Sequence, residues 1–419
     1  MPHAQFNVTD RMRLSKDIEE IRAEFPILSE KVNGNPLVYL DNGATTQKPL
    51  QVLQVMDEVY RTSNANVHRG VHFLSDLISE RYEAARETVR LFINAPGNNE
   101  VIFTAGATAS INSIAFSFGE RYVHEGDEIL ISGMEHHANI VPWQMLCERK
   151  KATLKVIPFS DEGILDIEEY RRLLSKQTRI VAITHASNVL GTINPVKEIV
   201  AEAHRHGIPV LVDGAQSIQH GIVDVRDLDC DFFVFSGHKI YGPTGIGVLY
   251  GKEKWLNEMP PYQGGGDMVA DVTFAKTTYN ELPFKFEAGT TNFTGAIGLA
   301  TALDYVTSLG RIAIAEREGA LLAMATNELS SINGVTIYGT SANKVPVISF
   351  LPGKIHQYDA GMILDKMGIA VRTGTHCAQP VMDRYGITGT IRASLAFYNT
   401  EKEIDALVSG VKKVIEMFT

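Results

Sequence analysis

Cysteine is scarce in this chain: three residues in 419, Cys147, Cys230 and Cys377, far apart and in no CxxC spacing. That argues against a disulfide framework or a cysteine zinc site and fits a reducing compartment. Basic runs are missing as well. With a formal net charge of −10, there is no cluster of Lys and Arg to grip a phosphate backbone, so no nucleic acid is expected as a partner. No stretch approaches the roughly 20 apolar residues of a membrane span, and the N-terminal MPHAQFNVTDRMRLSKDIEE lacks an apolar core of signal-peptide length. A cytoplasmic protein with no membrane partner is the expectation. There is no GxxxxGK[ST] loop for a nucleotide, and GIG at 245–247 opens a strand where a dinucleotide fingerprint would open a helix. His136–His137, His185, His204, His206 and His220 never fall at the i, i+4 spacing of helical metal ligands, so no metal is expected.

What remains, 44% hydrophobic and 21% charged, suits a globular protein of two domains with a sizeable core. From about residue 98 short apolar runs alternate with helical segments. EVIFT, EILIS, LKVIPF, RIVAITHA, IPVLVD, DFFVFS and GVLYG read as seven strands, and continuous apolar strands separated by helices predict an α/β fold with a mainly parallel sheet covered on both faces. After about residue 296 long helical stretches precede two strands, VTIYG and VPVISFL, and a final helix. The expected organisation is a large domain over 31–296 and a smaller α+β domain over 297–419, with residues 1–30 packing on the smaller one. YQGGGDM at 262–268 reads as a flexible turn or linker.

Small and polar residues gather just after the strands: GAT, HASN, DGAQS and SGHK. In open α/β sheets the carboxyl ends of the strands form the ligand crevice. Asp213 at one strand end and Lys239 just past the next would share it. Read singly, Asp213 is a helix N-cap and Lys239 a surface charge. Together, with Ser236 and His238 before the lysine, they are the pair that pyridoxal phosphate requires, a lysine for a Schiff base and a carboxylate for the pyridinium nitrogen. The strand–glycine–helix segment FTAGATASINSIAF points backbone N–H groups and Thr108 at an anion, and Ser236 and His238 would add donors for a single phosphate. His136, also at a strand end, is placed to lie on the cofactor ring and move protons. Cys377 sits in RTGTHCAQP with His376 before it and Arg372 upstream, a setting that suits a reactive thiol as well as an idle one.

The ordered motifs LDNGATTQKP, NVHRGVH, EHHANIVPW, HASNVLGT, VDGAQS, FSGHKIYGPTGIGVLYG, YQGGGDM, FEAGTTN and RTGTHCAQP carry a resemblance. Over nearly its whole length the chain resembles the class V aminotransferase-like, fold-type I pyridoxal phosphate enzymes, and within them the SUF-type (group II) cysteine desulfurases and selenocysteine lyase-like members. By that resemblance Lys239 is the Schiff-base lysine, Asp213 the pyridinium partner, Gln216 a donor to the ring oxygen and His136 the stacking histidine. Thr108, Ser236 and His238 match phosphate-binding positions, and Thr290 the position that reaches the phosphate of the other subunit in a homodimer. Arg392, helped by Asn188, matches the binder of the substrate carboxylate, and Cys377 the nucleophile that takes sulfur from L-cysteine as a persulfide. The resemblance further implies a sulfur-acceptor protein of the SUF system and a role in iron-sulfur cluster assembly. L-selenocysteine is the alternative substrate, and a catalytically silent scaffold the alternative of another class. The chain departs from common family patterns at Ala105 and Ala109, where an arginine and a glutamate are usual, and at Thr375, where a second histidine is common.

Overall fold

The computed structural model describes residues 14–418. Its centre is a seven-stranded sheet. In chain order the strands are β1 Val101–Thr104, β2 Glu128–Ser132, β3 Thr153–Ile157, β4 Thr178–Thr184, β5 Val210–Asp213, β6 Phe232–Ser236 and β7 Gly247–Gly251, all seven where the apolar runs place them. Their order across the sheet is β1-β7-β6-β5-β4-β2-β3. Strand β7 runs antiparallel to β1 and β6, and the pairs from β6 through β3 are parallel.

Both faces of this sheet are buried, which is why its strands are apolar without alternation. Successive side chains point to opposite faces, so Ile129, Ile131, Leu211, Phe232 and Val234 join one core with Ile111, Phe118 and Trp143. Leu130, Val210, Val212, Phe233 and Phe235 join the other, with Tyr82, Val89 and Ile199. Because β1, β2, β4, β5 and β6 are parallel, Thr104, Ser132, Thr184, Asp213 and Ser236 end at one edge. That edge carries the polar residues.

An exposed two-stranded hairpin, β8 Val269–Val272 and β9 Thr277–Tyr279, follows the YQGGGDM turn. The later chain forms an antiparallel sheet of β10 Val335–Tyr338, β11 Val347–Pro352, β12 Arg372–Gly374 and β13 Thr390–Ser394, in the order β10-β11-β13-β12. The helices Arg311–Ser330, Gln357–Lys366 and Glu401–Phe418 cover it through a third core of Leu321, Leu364, Ile391 and Leu407. The change of character near residue 296 falls inside one continuous helix, Phe293–Leu309, which packs on the helices Leu50–Thr62 and Phe73–Phe92.

Residues 1–13 of the N-terminal segment lie outside the described residues. Its remainder begins with the helix Ile18–Ala23, which has a capping box of Asp17 and Glu20. Arg22 reaches Glu403 at 3.2 Å and the Tyr398 carbonyl at 2.7 Å, and the Phe25 ring meets Tyr241, Tyr305, Phe397 and Tyr398. Beyond it Val38–Tyr39 pairs with Ile369–Ala370, carrying Asp41 and Gly43 to the same edge of the large sheet. No single helix among the described residues is long and apolar enough to cross a membrane.

Candidate active site

A cavity of about 260 Å³ opens at the carboxyl ends of the parallel strands, lined among others by Thr108, His136, Asn188, Asp213, Gln216, Ser236, His238, Lys239, Cys377 and Arg392. Every site residue expected from the sequence except Thr290 therefore meets there. Thr290 is exposed and lies outside this lining.

The phosphate end is built where β1 turns into the helix Ala107–Tyr122. Gly106 has a φ of +146°, and strand β7 passes so close that a Cβ on Gly247 would stand 2.4 Å from the Gly106 Cα. Only glycine fits that crossing. The Ala107 N–H donates to the Ser236 hydroxyl at 2.8 Å, tying β6 to the helix start, where free N–H groups and the dipole favour an anion.

Asp213, the last residue of β5, is buried, and one carboxylate oxygen accepts from the Ala215 N–H at 2.9 Å. Burial raises its pKa, which the Ala215 hydrogen bond and the charge of Lys239 oppose. Lys239 ends the turn Gly237–Lys239 after β6. Burial pushes its pKa down to about 8, against the pull of Asp213, so a neutral amine is accessible near physiological pH. The His238 carbonyl accepts from the Thr46 N–H at 3.0 Å, the Thr45 hydroxyl at 3.1 Å and the Lys48 ammonium at 3.1 Å, locking the ATTQK loop onto the lysine turn.

His136 is neutral: burial, then the charge of Lys239, pushes its pKa down to about 3. Its Nδ1 accepts from the Ala138 N–H at 3.0 Å, which puts its proton on Nε2. Arg392 on β13 is buried, donating to Asp41 and to the Asn188 carbonyl, both at 3.0 Å, while its Nε has no partner. The Gln216 amide nitrogen donates to the Gly43 carbonyl at 2.7 Å and keeps its second hydrogen. Asn188 lines the cavity, but its amide nitrogen donates to the His376 carbonyl at 2.7 Å. In this structure it holds the loop before Cys377.

The segment RTGTHCAQP is less of a turn than its composition predicts. Residues 372–374 are strand β12 at the sheet edge, and Gln379 starts the helix Gln379–Tyr385. Cys377 sits between them, half-buried and facing the cavity. Cys147 and Cys230 are buried elsewhere, and burial raises both their pKa values, that of Cys147 to about 11. Neither thiol suits a nucleophile.

Three residues of the site escaped sequence reasoning. Arg372 lines the cavity, though it was noted only as a neighbour of Cys377. Glu135 is fully buried and accepts from Thr184 N–H at 2.8 Å, the Asn139 amide at 2.7 Å and the Ser132 hydroxyl at 2.5 Å. Burial raises its pKa to about 8, yet three donors converge on its carboxylate and join the ends of β2 and β4 beside His136. His137, which the sequence places only among histidines without metal spacing, contacts the Cys377 loop. A glutamate before two histidines at a strand end was the available signal.

Three residues of the lining carry a buried polar atom without a partner, His238 Nδ1, Gln216 Oε1 and Arg392 Nε, as a site completed by a polar ligand would. An anion cradle, an amine, a buried carboxylate and a flat imidazole fit pyridoxal phosphate.

The family model for "Aminotransferase class-V" matches residues 38–407. The chain belongs to this family. It is 53% identical to a cysteine desulfurase of Enterobacter sp. (strain 638), over 96% of this chain and 99% of that protein. The crystal structure of the cysteine desulfurase CsdA from Escherichia coli superposes with a TM-score of 0.89 at 38% identity, covering 96% of this chain and 99% of that one. The apo cysteine desulfurase of Thermococcus onnurineus NA1 gives 0.91 at 37%, covering 97% and 99%.

Proposed function

We propose that this chain is a pyridoxal phosphate-dependent cysteine desulfurase that converts L-cysteine to L-alanine and takes the sulfur onto Cys377 as a persulfide. The observation that carries the reading is one thiol, Cys377, on a loop facing the cavity that holds Lys239, Asp213 and Arg392, while the other two thiols are buried elsewhere.

When bound, the cofactor supplies a carbonyl for the substrate amine and a ring that accepts electrons from its α-carbon. Thr108, Ser236 and the N–H groups at the start of the helix Ala107–Tyr122 would hold its phosphate, and Asp213 would keep the ring nitrogen protonated. Gln216 has a hydrogen left that the ring oxygen would take, and His136 would be the imidazole beside the ring. Arg392 takes the substrate carboxylate. Lys239, with its pKa near 8, holds and moves the α-proton at Nζ. The Cys377 sulfur attacks the substrate sulfur: the S–S bond forms, the carbon–sulfur bond breaks, and the electron pair left on carbon is protonated to give alanine. Incubation of the holoenzyme with L-cysteine, with and without a thiol reductant, tests this. Equal alanine and sulfide in the presence of reductant supports it, and alanine without sulfide or persulfide contradicts it.

Arg392→Ala removes a charge-assisted, buried contact worth roughly 1.5–3 kcal/mol. Its KM for L-cysteine is expected to rise about 10- to 100-fold, with pyridoxal phosphate content unchanged. A titration of cofactor and a saturation curve check both.

The protein is proposed to work as a homodimer in which Thr290 completes the partner's phosphate site. Glu287, two residues before Gly289, is buried against Arg86 at 2.6 Å and Phe103 N–H at 2.7 Å, so the FEAGTTN segment is held firmly with its end exposed. Val71, Phe73 and Phe274 are large apolar side chains left in solvent, an arrangement that a closed two-fold interface would bury. Light scattering is expected to give twice the chain mass, and an active monomer would refute the dimer. The sulfur is proposed to pass to an acceptor protein of a SUF-type system for iron-sulfur cluster assembly. The resemblance of the Cys377 loop to the group II motif supports that last step. A large unit that holds the cofactor and a small one that carries the nucleophile are proposed, with the boundary moved from 296/297 to the end of the helix Phe293–Leu309, which packs on helices of the large unit.

A further inference from the structure

The two histidines after β2 face different things. His136 lines the cavity, whereas His137 faces the loop that carries the thiol. That loop has an unusual backbone: His376 and Cys377 have φ of 53° and 58°, two successive non-glycine residues in the left-handed region. Each is a conformation that a side chain with a Cβ adopts only when its surroundings impose it.

Four contacts do so. The Asn188 amide donates to the His376 carbonyl at 2.7 Å, and the His376 Nε2 lies 2.9 Å from the Thr390 hydroxyl. The His137 N–H donates to the Cys377 carbonyl at 2.7 Å, and the His137 Nε2 accepts from the Gln379 N–H at 3.1 Å. Gln379 is the first residue of the helix Gln379–Tyr385, so its N–H has no acceptor within that helix. Ala378, just before it, forms no side-chain cap. An imidazole 242 positions earlier in sequence takes the place of the missing cap. The two contacts of His137 bracket Cys377, one on its own carbonyl and one two residues on.

We propose that His137 is a positioning residue for the nucleophile: its backbone N–H and its Nε2 together hold the loop in the left-handed shape that turns the Cys377 sulfur into the cavity. The inference rests on Cys377 being the sulfur acceptor. Because the backbone N–H survives every substitution except proline, a variant isolates the imidazole. His137→Ala removes the acceptor, and His137→Gln returns one, since the glutamine side-chain oxygen reaches about as far as Nε2.

The holoenzymes of the parent, both variants and Cys377→Ala are compared. In His137→Ala, kcat for L-cysteine is expected to fall about tenfold or more, the scale of one lost contact plus a displaced reacting atom. Pyridoxal phosphate content should stay at the parent's level, as should inhibition by L-alanine, which has no sulfur to give up. Alkylation of Cys377 by iodoacetamide, followed on its peptide by mass spectrometry, should change in rate as the loop loosens. His137→Gln should recover kcat to within about threefold, a residual loss smaller than one full contact. Parent-level kcat and alkylation in His137→Ala would overturn the clamp. So would a loss of kcat matched by weaker L-alanine inhibition or lost cofactor, which would make His137 a part of the general architecture. A His137→Gln variant no better than His137→Ala would overturn it as well. Cys377→Ala separates the two levels: if it turns over L-cysteine like the parent, the nucleophile assignment falls and the clamp with it. If it is inactive, the His137 results judge the clamp alone.

Discussion

Cys377→Ala is expected to bind pyridoxal phosphate at full stoichiometry and to lose turnover of L-cysteine by on the order of 10³-fold or more, the scale seen when a nucleophile is removed. The two halves of that result come from different parts of the molecule. Asp213 ends a strand of the large sheet, Lys239 ends the turn after the next strand and Thr108 lies in the first turn of the helix Ala107–Tyr122, and none depends on the thiol for its position. The sulfur, by contrast, has nowhere else to go. Cys147 and Cys230 are buried away from the cavity, and their depressed acidity keeps them protonated at neutral pH. Mass spectrometry of the parent after exposure to L-cysteine should find one added sulfur on the peptide containing Cys377. Sulfur on either of the other two cysteines, or parent-level sulfide release by the variant, would remove the central residue of the proposal. The same variant should keep far more activity on L-selenocysteine, because selenium leaves carbon with less help than sulfur.

The large sheet was legible in the sequence because burial on both faces leaves an unmistakable mark: short Val-, Ile- and Phe-rich runs with small polar residues directly after them. The same logic placed Asp213, Lys239 and Thr108 in one crevice, since parallel strands deliver their carboxyl ends to one edge. The Cys377 loop was less legible. Residues 372–374 are polar and sit on a strand edge, where pairing with Thr390–Arg392 and not burial makes them a strand, so no hydrophobic period announces them. Asn188 lines the cavity and also donates one amide hydrogen to the His376 carbonyl, a tie to the thiol loop that no local pattern announces. His137 and Glu135 were missed for the same reason. Their partners, Gln379 and Cys377 for one, Thr184 and Asn139 for the other, are mostly remote in sequence, and a contact across the fold has no local pattern to read.

Lys239 is where function and stability pull in opposite directions, and Lys239→Met is expected to show both. Activity should fall by at least about 10³-fold, because the variant has neither the amine that attaches the cofactor nor the base that moves the α-proton. Pyridoxal phosphate should leave the variant on denaturation without any covalently retained fraction, and a retained fraction would mean that another lysine, such as Lys48, carries the link. The apoprotein, however, should gain stability. Burial lowers the Lys239 pKa from 10.5 to about 8, so below pH 8 the folded state holds an ammonium where the cavity disfavours it. At about 1.4 kcal/mol per pH unit that shift corresponds to about 3 kcal/mol. The sign follows from linkage: between pH 8 and 10.5 the unfolded chain binds the proton and the folded one does not, so parental stability rises with pH in that window. The advantage of the methionine variant should therefore be full below about pH 8, shrink as the pH rises through that range, and vanish near 10.5. Urea unfolding of both apoproteins at pH 7, 8 and 9 checks it. A methionine variant no more stable than the parent at pH 7, or one whose advantage grows with pH, would show that Asp213 offsets the buried charge and that the lysine is kept there at no energetic cost.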